Sequence, residues 1–323
     1  MMAYQSDGDN GTGTGSTNAA LNDLLVKTSR TFALAIPLLP EPTRREVGVA
    51  YLLFRIIDTF EDATRWAPAR RIEALKRFVE LMDGPPESAM ELAADCKREP
   101  PVDSDGYLEL LDRMPLVLES FQRLRPEARP PIRRHVARTA EGMAGFVARS
   151  VGSSALELAS VDDLRDYCYA VAGIVGEMLT ELFLLGRPNL AGIAEDLRNR
   201  AAEFGEGLQL VNILKDVRSD ADAGRVYLPR RSQTREIFAL ARKDLNIAGA
   251  YSEMLRVAGA ESGLVAFNAF IVRLAIETLD VLEDRGPASK VSRLRVAQIA
   301  AEVTGAIRDN RPLFGDLGPS GEG

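Results

Sequence analysis

The sequence predicts an all-α protein. Beyond about residue 18 it is rich in Ala, Leu, Glu and Arg, and its apolar residues recur every three or four positions, which is the period of a helix. Alternating runs of β-branched residues are scarce, so we expect no strand. Residues 1–18 are rich in Gly, Ser, Thr, Asp and Asn and have little to bury, so they should form a disordered tail.

Clusters of Pro and Gly divide the rest of the chain into segments of helical length. The clusters lie at 37–42, 83–86, 99–101, 125–131, 186–188 and 285–287. The segments predicted to be helical are 43–82, which holds one or two helices, 108–124, 132–150, 161–185, 190–219, 232–257, 264–283 and 292–307. No internal repeat and no linker stands out between them, so we expect residues 19–323 to form a single domain.

Composition excludes several classes of protein. Among 323 residues, 40 basic and 47 acidic side chains give a net charge of −7, which argues against binding to the phosphate backbone of nucleic acids. Cys96, Cys168 and His135 are too few to build a zinc site or a disulfide framework. We expect the two thiols to be inert and His135, which lies among arginines, to be on a helix surface.

Two further patterns bear on localisation. The N-terminus has no basic segment followed by an apolar run, so it does not resemble a secretory signal, and we expect a cytoplasmic protein. The most apolar stretch, 169–186, is interrupted by Glu177 and Glu181, so no transmembrane segment is predicted.

Paired aspartates give the first chemical signal. Residues four apart project from one face of a helix, and such Asp pairs occur at 58/62, 162/166, 216/220 and 280/284. Spacing alone cannot choose between them, but context can, because carboxylates embedded in an apolar helix are disfavoured unless a cation binds them. The apolar surroundings of 58/62 and 216/220 indicate a site, whereas 162/166 and 280/284 are predicted to be solvated faces.

The second of these segments carries a third oxygen ligand. Asn212, Asp216 and Asp220 follow one another at intervals of four, and Arg55, Lys215 and Arg225 lie beside the two acidic segments. Carboxylates on two facing helices are ligands that Mg²⁺ prefers, and Mg²⁺ with Arg and Lys is the usual way to hold a diphosphate. The sequence therefore predicts a magnesium site with a phosphorylated ligand.

Four motifs resemble a known family. They are SRTFALAI at 29–36, YLLFRIIDTFED at 51–62, YCYAVAGIVG at 167–176 and QLVNILKDVRSDADAGRVYLP at 209–229, and in this order they are similar to the squalene/phytoene synthase family. The resemblance implies an isoprenoid synthase fold around a central apolar cavity and head-to-head condensation of two prenyl diphosphates. The product of such a reaction is very apolar, so we expect transient membrane contact for its release, whereas the net charge already argues against a nucleic-acid partner.

The resemblance also assigns roles to residues. It implies that Asp58, Asp62, Asn212, Asp216 and Asp220 bind Mg²⁺, that Ser29, Thr31, Tyr51, Arg55, Lys215, Arg225 and Tyr227 surround the diphosphates, and that Tyr167 acts in the first half-reaction, with Arg55 and Tyr51 as further catalytic residues. Phe32, Val171, Ala172, Val175, Leu208 and Gln209 would line the prenyl cavity.

Some of these positions leave questions open. Lys215 and Ser219 stand where the family commonly has Arg and Glu, and lysine lacks the fork that clamps phosphate at two points. The small-residue face around Val175 and Gly176 suits either a prenyl tail or close helix packing.

The reaction after the first condensation is a further prediction. The block at 51–62 resembles the Asp-Thr-x-Glu-Asp pattern of squalene synthases, which favours presqualene diphosphate as intermediate and its reduction by NADPH to squalene. Phe267, Lys290 and Arg293 resemble segments near the reductant. The alternatives are a phytoene or dehydrosqualene synthase without reductant, a synthase that stops at presqualene diphosphate, a non-catalytic relative, and an unrelated scaffold with surface acids.

Overall fold

The computed structural model describes residues 11–29, 31–150, 156–222, 225–228 and 233–315. Its helices are α1 (Gly11–Thr28), α2 (Phe32–Ala35), α3 (Thr43–Glu61), α4 (Pro68–Leu81), α5 (Ala89–Arg98), α6 (Asp105–Asp112), α7 (Met114–Gln122), α8 (Arg129–Arg149), α9 (Val161–Cys168), α10 (Ile174–Leu184), α11 (Ala194–Asp222), α12 (Thr234–Val257), α13 (Ser262–Arg285) and α14 (Arg293–Arg308). The described part also has three short 3-10 helices, Ile36–Leu38, Pro86–Ser88 and Pro188–Ile193, and two short strands, β1 (Leu156–Glu157) and β2 (Arg225–Val226). The all-α prediction is confirmed.

Proline explains where two predicted segments divide. The segment 43–82 holds two helices, α3 and α4, and Pro68 occupies the first position of α4, where its missing N–H is tolerated. The segment 108–124 also divides, into α6 and α7, because Pro115 lies in the first turn of α7 and cannot donate to the preceding turn. Helix α5 was not among the predicted segments.

The predicted disordered tail overlaps the first helix. Helix α1 begins at Gly11, inside that tail, and residues 1–10 lie outside the described residues. Leu21, Leu24 and Leu25 anchor α1 in the core. Once such a segment is fixed, each added residue extends the helix by one hydrogen bond, so helix spreads into a polar stretch that has nothing of its own to bury.

The expectation of no strand is wrong at one place. Strands β1 and β2 pair in parallel, with Leu156 opposite Arg225 and Glu157 opposite Val226. Each strand has two residues, too few for an alternating pattern to show in the sequence. The pairing ties the segment after α11 to the segment after α8, and this fixes the position of two residues of the candidate site.

Helices α9 and α10 form one continuous helix through a π-helical turn, Tyr169–Gly173. By length and composition alone, this helix is the one in the described part of the chain that could cross a membrane, and 61% of its most apolar window is buried inside the protein. It packs against α8 and α11. A π-turn in a core helix often marks a functional site, because it changes which side chains share a face.

Close packing of α10 on α11 accounts for part of the small-residue face. A Cβ on Gly176 would lie 1.9 Å from the carbonyl oxygen of Ala201, and one on Gly205 would lie 2.0 Å from that of Ala172. Both glycines are therefore required by helix packing. Gly176 faces α11, which decides between the two interpretations of this residue in favour of packing.

The position of His135 differs from the prediction. Its side chain is 1% exposed, in α8, and its Nδ1 lies 2.7 Å from the carbonyl oxygen of Pro131. Burial lowers the pKa of His135. The neighbouring arginines point away from the core while the histidine points into it, and the cluster of basic residues in the sequence does not reveal this difference. Cys96 and Cys168 are buried free thiols.

Candidate active site

Helix α3 provides one acidic wall of the candidate site. Its apolar face is buried in the core, and the other face carries Tyr51, Arg55 and Asp58, followed by Asp62 directly after the last residue of the helix, at intervals of three and four. Arg55 Nη1 lies 3.4 Å from Asp58 Oδ2, and Arg55 Nη2 donates to the Tyr51 hydroxyl at 3.1 Å. The hydroxyl donates in turn to the carbonyl oxygen of Thr28. Arg55 is thus fixed beside the first aspartate.

Helix α11 provides the other wall. Lys215 Nζ lies 3.2 Å from both Asn212 Oδ1 and Asp216 Oδ2, so the lysine is paired with two of the predicted metal ligands. Asp220 is one further turn along, and its side chain is only 16% exposed. The amide nitrogen of Ala288, in the loop before α14, donates to the carbonyl oxygen of Lys215 and holds that loop against this wall.

Arg225 joins the two walls. Its Nη1 donates to Asp62 Oδ1 at 2.5 Å and its Nη2 donates to Asp220 Oδ1 at 3.2 Å. One guanidinium therefore spans a carboxylate of each aspartate motif. Side chains alternate along a strand, so Arg225 and Tyr227 face the site while Val226 is 41% exposed on the opposite side. The predicted convergence of the two acidic segments is what the structure shows.

The acidic groups differ in their protonation behaviour. Burial raises the pKa of Asp58 to about 6, although the neighbouring Arg55 lowers it. Burial, and then the neighbouring Asp62, raise the pKa of Glu61 well above its ordinary value. Burial also raises the pKa of Asp220, against the opposing effect of Arg225. Carboxylates kept in such surroundings favour a bound cation over solvation.

Two tyrosines lie directly beside the acids. The hydroxyls of Tyr167 and Tyr227 are 2.9 Å apart, their rings stack with centroids 4.8 Å apart, and Phe146 meets Tyr167 edge-on. Tyr167 is 3% exposed. Burial, followed by the charge of Glu61, raises the pKa of Tyr167 well above its ordinary value, so both phenols stay protonated.

The segment before α2 lies at the α3 wall. The Ser29 hydroxyl accepts a hydrogen bond from the amide nitrogen of Phe32 and so caps the short helix that follows. Thr31 is half-buried, and the Phe32 ring contacts the Tyr51 ring at 5.4 Å. Phe32, and Ser29 through its bond to Phe32, are therefore connected to Arg55 through Tyr51.

The predicted prenyl-cavity residues share partial burial. Val171, Val175 and Leu208 pack against the core without being enclosed by it, as Phe32 does. Ala172 and Gln209 are also half-buried. They come from α2, from the π-turn, from α10 and from α11, and Val171 and Leu208 also pack against the cluster that contains Tyr167 and Tyr227.

The three residues predicted near the reductant are not brought together. Phe267 is fully enclosed in the core, edge-on to Phe183 at 5.9 Å, and offers no surface to a cofactor. Lys290 and Arg293 are exposed on and after the loop that contacts α11. The basic pair is close in sequence to the Ala288 contact with Lys215, whereas Phe267 belongs to the core.

The structure adds residues that received no role from the sequence. Glu61 is 4% exposed and lies between the aspartates of the first motif. Tyr107, from α6, places its ring under the Arg55 guanidinium at 5.6 Å, and the Thr28 carbonyl holds Tyr51. The apolar context of Glu61 could have revealed its burial, but nothing local in the sequence links α6 to α3.

The donor set fits Mg²⁺ that is held in part by a substrate. Among the residues that the structure describes, no three His, Cys, Asp or Glu side chains form a ready-made metal cage. Instead the site offers pairs of carboxylates on facing helices, and Mg²⁺ is commonly held by one or two carboxylates together with waters and phosphate oxygens. The residues that would hold it are Asp58, Asp62, Asn212, Asp216 and Asp220.

Solved structures define the class of fold. A structure of TcSQS in complex with a ligand aligns with a TM-score of 0.70 and 25% identity over 90% of this chain and 86% of that one. A dehydrosqualene synthase in complex with a ligand aligns with a TM-score of 0.59 over 93% of this chain, and at 20% identity this shows the fold alone. The protein has the all-α isoprenoid synthase fold.

Sequence comparison gives the family. The squalene/phytoene synthase family model matches residues 25–245. A squalene synthase of Botryococcus braunii is 33% identical over 214 residues, 64% of this chain and 42% of the relative, and one of Candida albicans is 27% identical over 297 residues, 90% of this chain and 61% of the relative. This chain belongs to the squalene/phytoene synthase family, and it spans less than half the length of the Botryococcus relative.

Proposed function

We propose that the protein is a squalene synthase that condenses two farnesyl diphosphates head to head, through presqualene diphosphate, with Mg²⁺. The observation that carries the proposal is the Arg225 bridge between Asp62 and Asp220. It brings carboxylates and a guanidinium from distant parts of the chain to one place beside an apolar surface. Family membership supports the same reaction.

The cationic side chains would bind the diphosphates. Arg55, Lys215 and Arg225 already contact carboxylates that would hold metal, so a diphosphate placed between the walls would meet donors from both sides. Bound Mg²⁺ would supply charge to stabilise the leaving diphosphate. The Asp58 and Asp216 carboxylates would orient the diphosphate through that ion.

The apolar and phenolic groups would protect and orient the reacting chain. Phe32, Val175 and Leu208 would exclude water, which otherwise quenches a carbocation before it rearranges. Tyr167 keeps its proton because burial raises its pKa, so its hydroxyl would act as a hydrogen-bond donor and not as a phenolate base. The Tyr227 hydroxyl, 2.9 Å away, holds the Tyr167 oxygen in place, and when Tyr227 is the donor in this contact the Tyr167 proton is free for another acceptor.

The reductant step has less support, and one observation favours the alternatives. The Phe267 side chain is enclosed in the core and does not form a common surface with Lys290 and Arg293, so these three residues would not form one NADPH site. A dehydrosqualene or phytoene synthase needs no reductant, and a synthase that stops at presqualene diphosphate needs none either. The motif at 51–62 still favours the squalene product.

Product identification tests the proposal. The protein would be incubated with farnesyl diphosphate and Mg²⁺, with and without NADPH, and the products extracted and identified by mass. Squalene formed only with NADPH supports the proposal. Dehydrosqualene or presqualene diphosphate under both conditions supports the corresponding alternative, and a parallel incubation with geranylgeranyl diphosphate tests for a phytoene synthase. No released diphosphate under any condition contradicts the proposed enzyme.

A further inference from the structure

Each aspartate of the two motifs is already paired with a cation of the chain. Asp58 is paired with Arg55, Asp216 with Lys215, and both Asp62 and Asp220 with Arg225. Four carboxylates therefore share three internal cations. A divalent ion that approaches this arrangement alone meets carboxylates that are already neutralised and cations that repel it.

Arg225 differs from the other two cations in what it joins. Arg55 and Lys215 each pair with an aspartate of their own helix, three or fewer positions away. Arg225 lies on β2, and its fork reaches one oxygen of Asp62, at the C-terminal end of α3, and one of Asp220 on α11. Asp62 and Asp220 are two of the residues that would hold a metal ion. The guanidinium thus occupies carboxylates that the metal would need.

The contacts of Arg225 allow its guanidinium to exchange the two carboxylates for another anion. Its Nη1 and Nη2 atoms are held by the two carboxylates, while its Nε atom is buried without a hydrogen-bond partner. Exchange of these two ion pairs for a diphosphate would satisfy a guanidinium equally well, because its fork matches phosphate as it matches carboxylate. The same exchange would free Asp62 and Asp220 to bind metal.

We propose that Arg225 is an internal counter-ion that closes the metal site, so that the divalent cation and the diphosphate enter together and not metal first. This inference rests on the proposed function. It makes Arg225 an inhibitor of metal binding in the free protein and a ligand of diphosphate in the loaded one. Loss of Arg225 should therefore strengthen one binding event and weaken the other.

The expected gain in metal affinity can be judged from the binding of a proton to a carboxylate. A guanidinium next to a carboxylate lowers its affinity for a proton by about one to three powers of ten. Because Arg225 contacts two carboxylates, R225Q should bind Mn²⁺, used as a probe for Mg²⁺, at least about tenfold more tightly than the wild type when no diphosphate is present. In the presence of saturating Mn²⁺, R225Q should bind inorganic pyrophosphate more weakly.

Electron paramagnetic resonance of free Mn²⁺ and calorimetric titration of pyrophosphate measure the two affinities. R242Q is the matched control, because Arg242 also bridges two carboxylates, Asp280 and Glu283, but at the α12–α13 surface. It should leave both affinities unchanged. D62N/R225Q should lose the gain in Mn²⁺ affinity. Should R225Q fail to fold by circular dichroism, R225K replaces it, and should give a smaller gain because lysine cannot span both carboxylates.

The outcomes separate this inference from the proposed function. Equal or weaker Mn²⁺ binding by the folded Arg225 variant overturns the inference, as does the same gain in R242Q. Condensation of farnesyl diphosphate by the wild-type preparation is assayed alongside. If the wild type condenses substrate and R225Q shows no gain, the inference fails and the function stands. If R225Q gains Mn²⁺ affinity and the wild type releases no diphosphate, the inference stands and the function fails.

Discussion

Replacement of Gly176 by alanine should separate the effect of helix packing on stability from the effect of helix propensity. Gly176 lies in α10, and a Cβ there would be 1.9 Å from the Ala201 carbonyl oxygen. Ordinary contact begins at 3.4 Å, so α10 and α11 would have to move apart by about 1.5 Å. The obstacle is backbone and cannot rotate away. Gly145, in α8, is exposed, and a Cβ there would meet nothing within 4 Å.

The two substitutions should change stability in opposite directions. Alanine is favoured over glycine in a helix by about 1 kcal/mol, which is the whole effect expected for G145A. In G176A the overpacking of two helices, about 3 kcal/mol, exceeds that gain and leaves a net destabilisation of about 2 kcal/mol. At 2–4 °C for each kcal/mol, the unfolding midpoint of G176A should fall by about 5 °C and that of G145A should rise by about 3 °C.

Differential scanning calorimetry with a urea titration measures both changes. G176A should also release diphosphate more slowly, because separation of the helices shifts the α11 acids relative to Tyr167. An unchanged or raised midpoint for G176A would refute the argument that these helices touch through glycine. A shift of both variants in the same direction would show that propensity or unfolded-state effects dominate.

Three other predictions concern the charged and phenolic groups. Asp244 is 1% exposed, and burial followed by the charge of Glu206 raises its pKa to about 7. The free energy of unfolding should therefore fall as pH rises from about 4 to 7 and then level off. D244N should remove up to about 4 kcal/mol of this pH dependence, measured by urea unfolding at each pH. Y227F leaves the buried Tyr167 hydroxyl without its partner and should lower the free energy of unfolding by about 1 kcal/mol and slow diphosphate release. D58N should slow diphosphate release by about a hundredfold with little change in fold, measured at saturating substrate.

Each of these predictions has a control. The sign for Asp244 follows because its folded pKa lies above its unfolded value, so protonation favours the folded state and ionisation opposes it; a steeper pH dependence in D244N would contradict this. For D58N the control is D284N, on the exposed face of α13, which should keep wild-type activity. Wild-type rates in D58N would indicate surface acids without a role in binding. For Y227F, an unchanged free energy of unfolding would show that the contact between the two hydroxyls does not stabilise the fold.

The parts of the fold that depend on local pattern could be predicted from the sequence. Helical periodicity gave the long helices, and the apolar surroundings of Asp58 and Asp216 singled out the two acidic walls before any coordinates. The sequence also predicts that Arg225 lies beside Asp220, because the two residues are only five positions apart. Its contact with Asp62, 163 positions away, follows only from the pairing of β1 with β2.

The parts that failed depend on which side of a helix meets which neighbour. His135 and the neighbouring arginines form one basic stretch of sequence, yet of these residues only the histidine points into the core. Phe267 has an apolar neighbourhood that suits either a cofactor wall or a core, and its contact with Phe183 decides for the core. Tertiary packing decides which side chains face the core, and the periodicity and composition of the sequence carry no information about it.

The smallest elements of this protein have the strictest alignment. In the pairing of β1 with β2, Arg225 is opposite Leu156 and Val226 is opposite Glu157. A shift of this ladder by a single position would turn the guanidinium and the phenol of Tyr227 outward and place the valine among the aspartates. Insertion or deletion of one residue next to β2 should therefore abolish the junction between the walls while leaving the helical scaffold intact, so the register of four residues decides whether the fourteen described α-helices enclose a connected site.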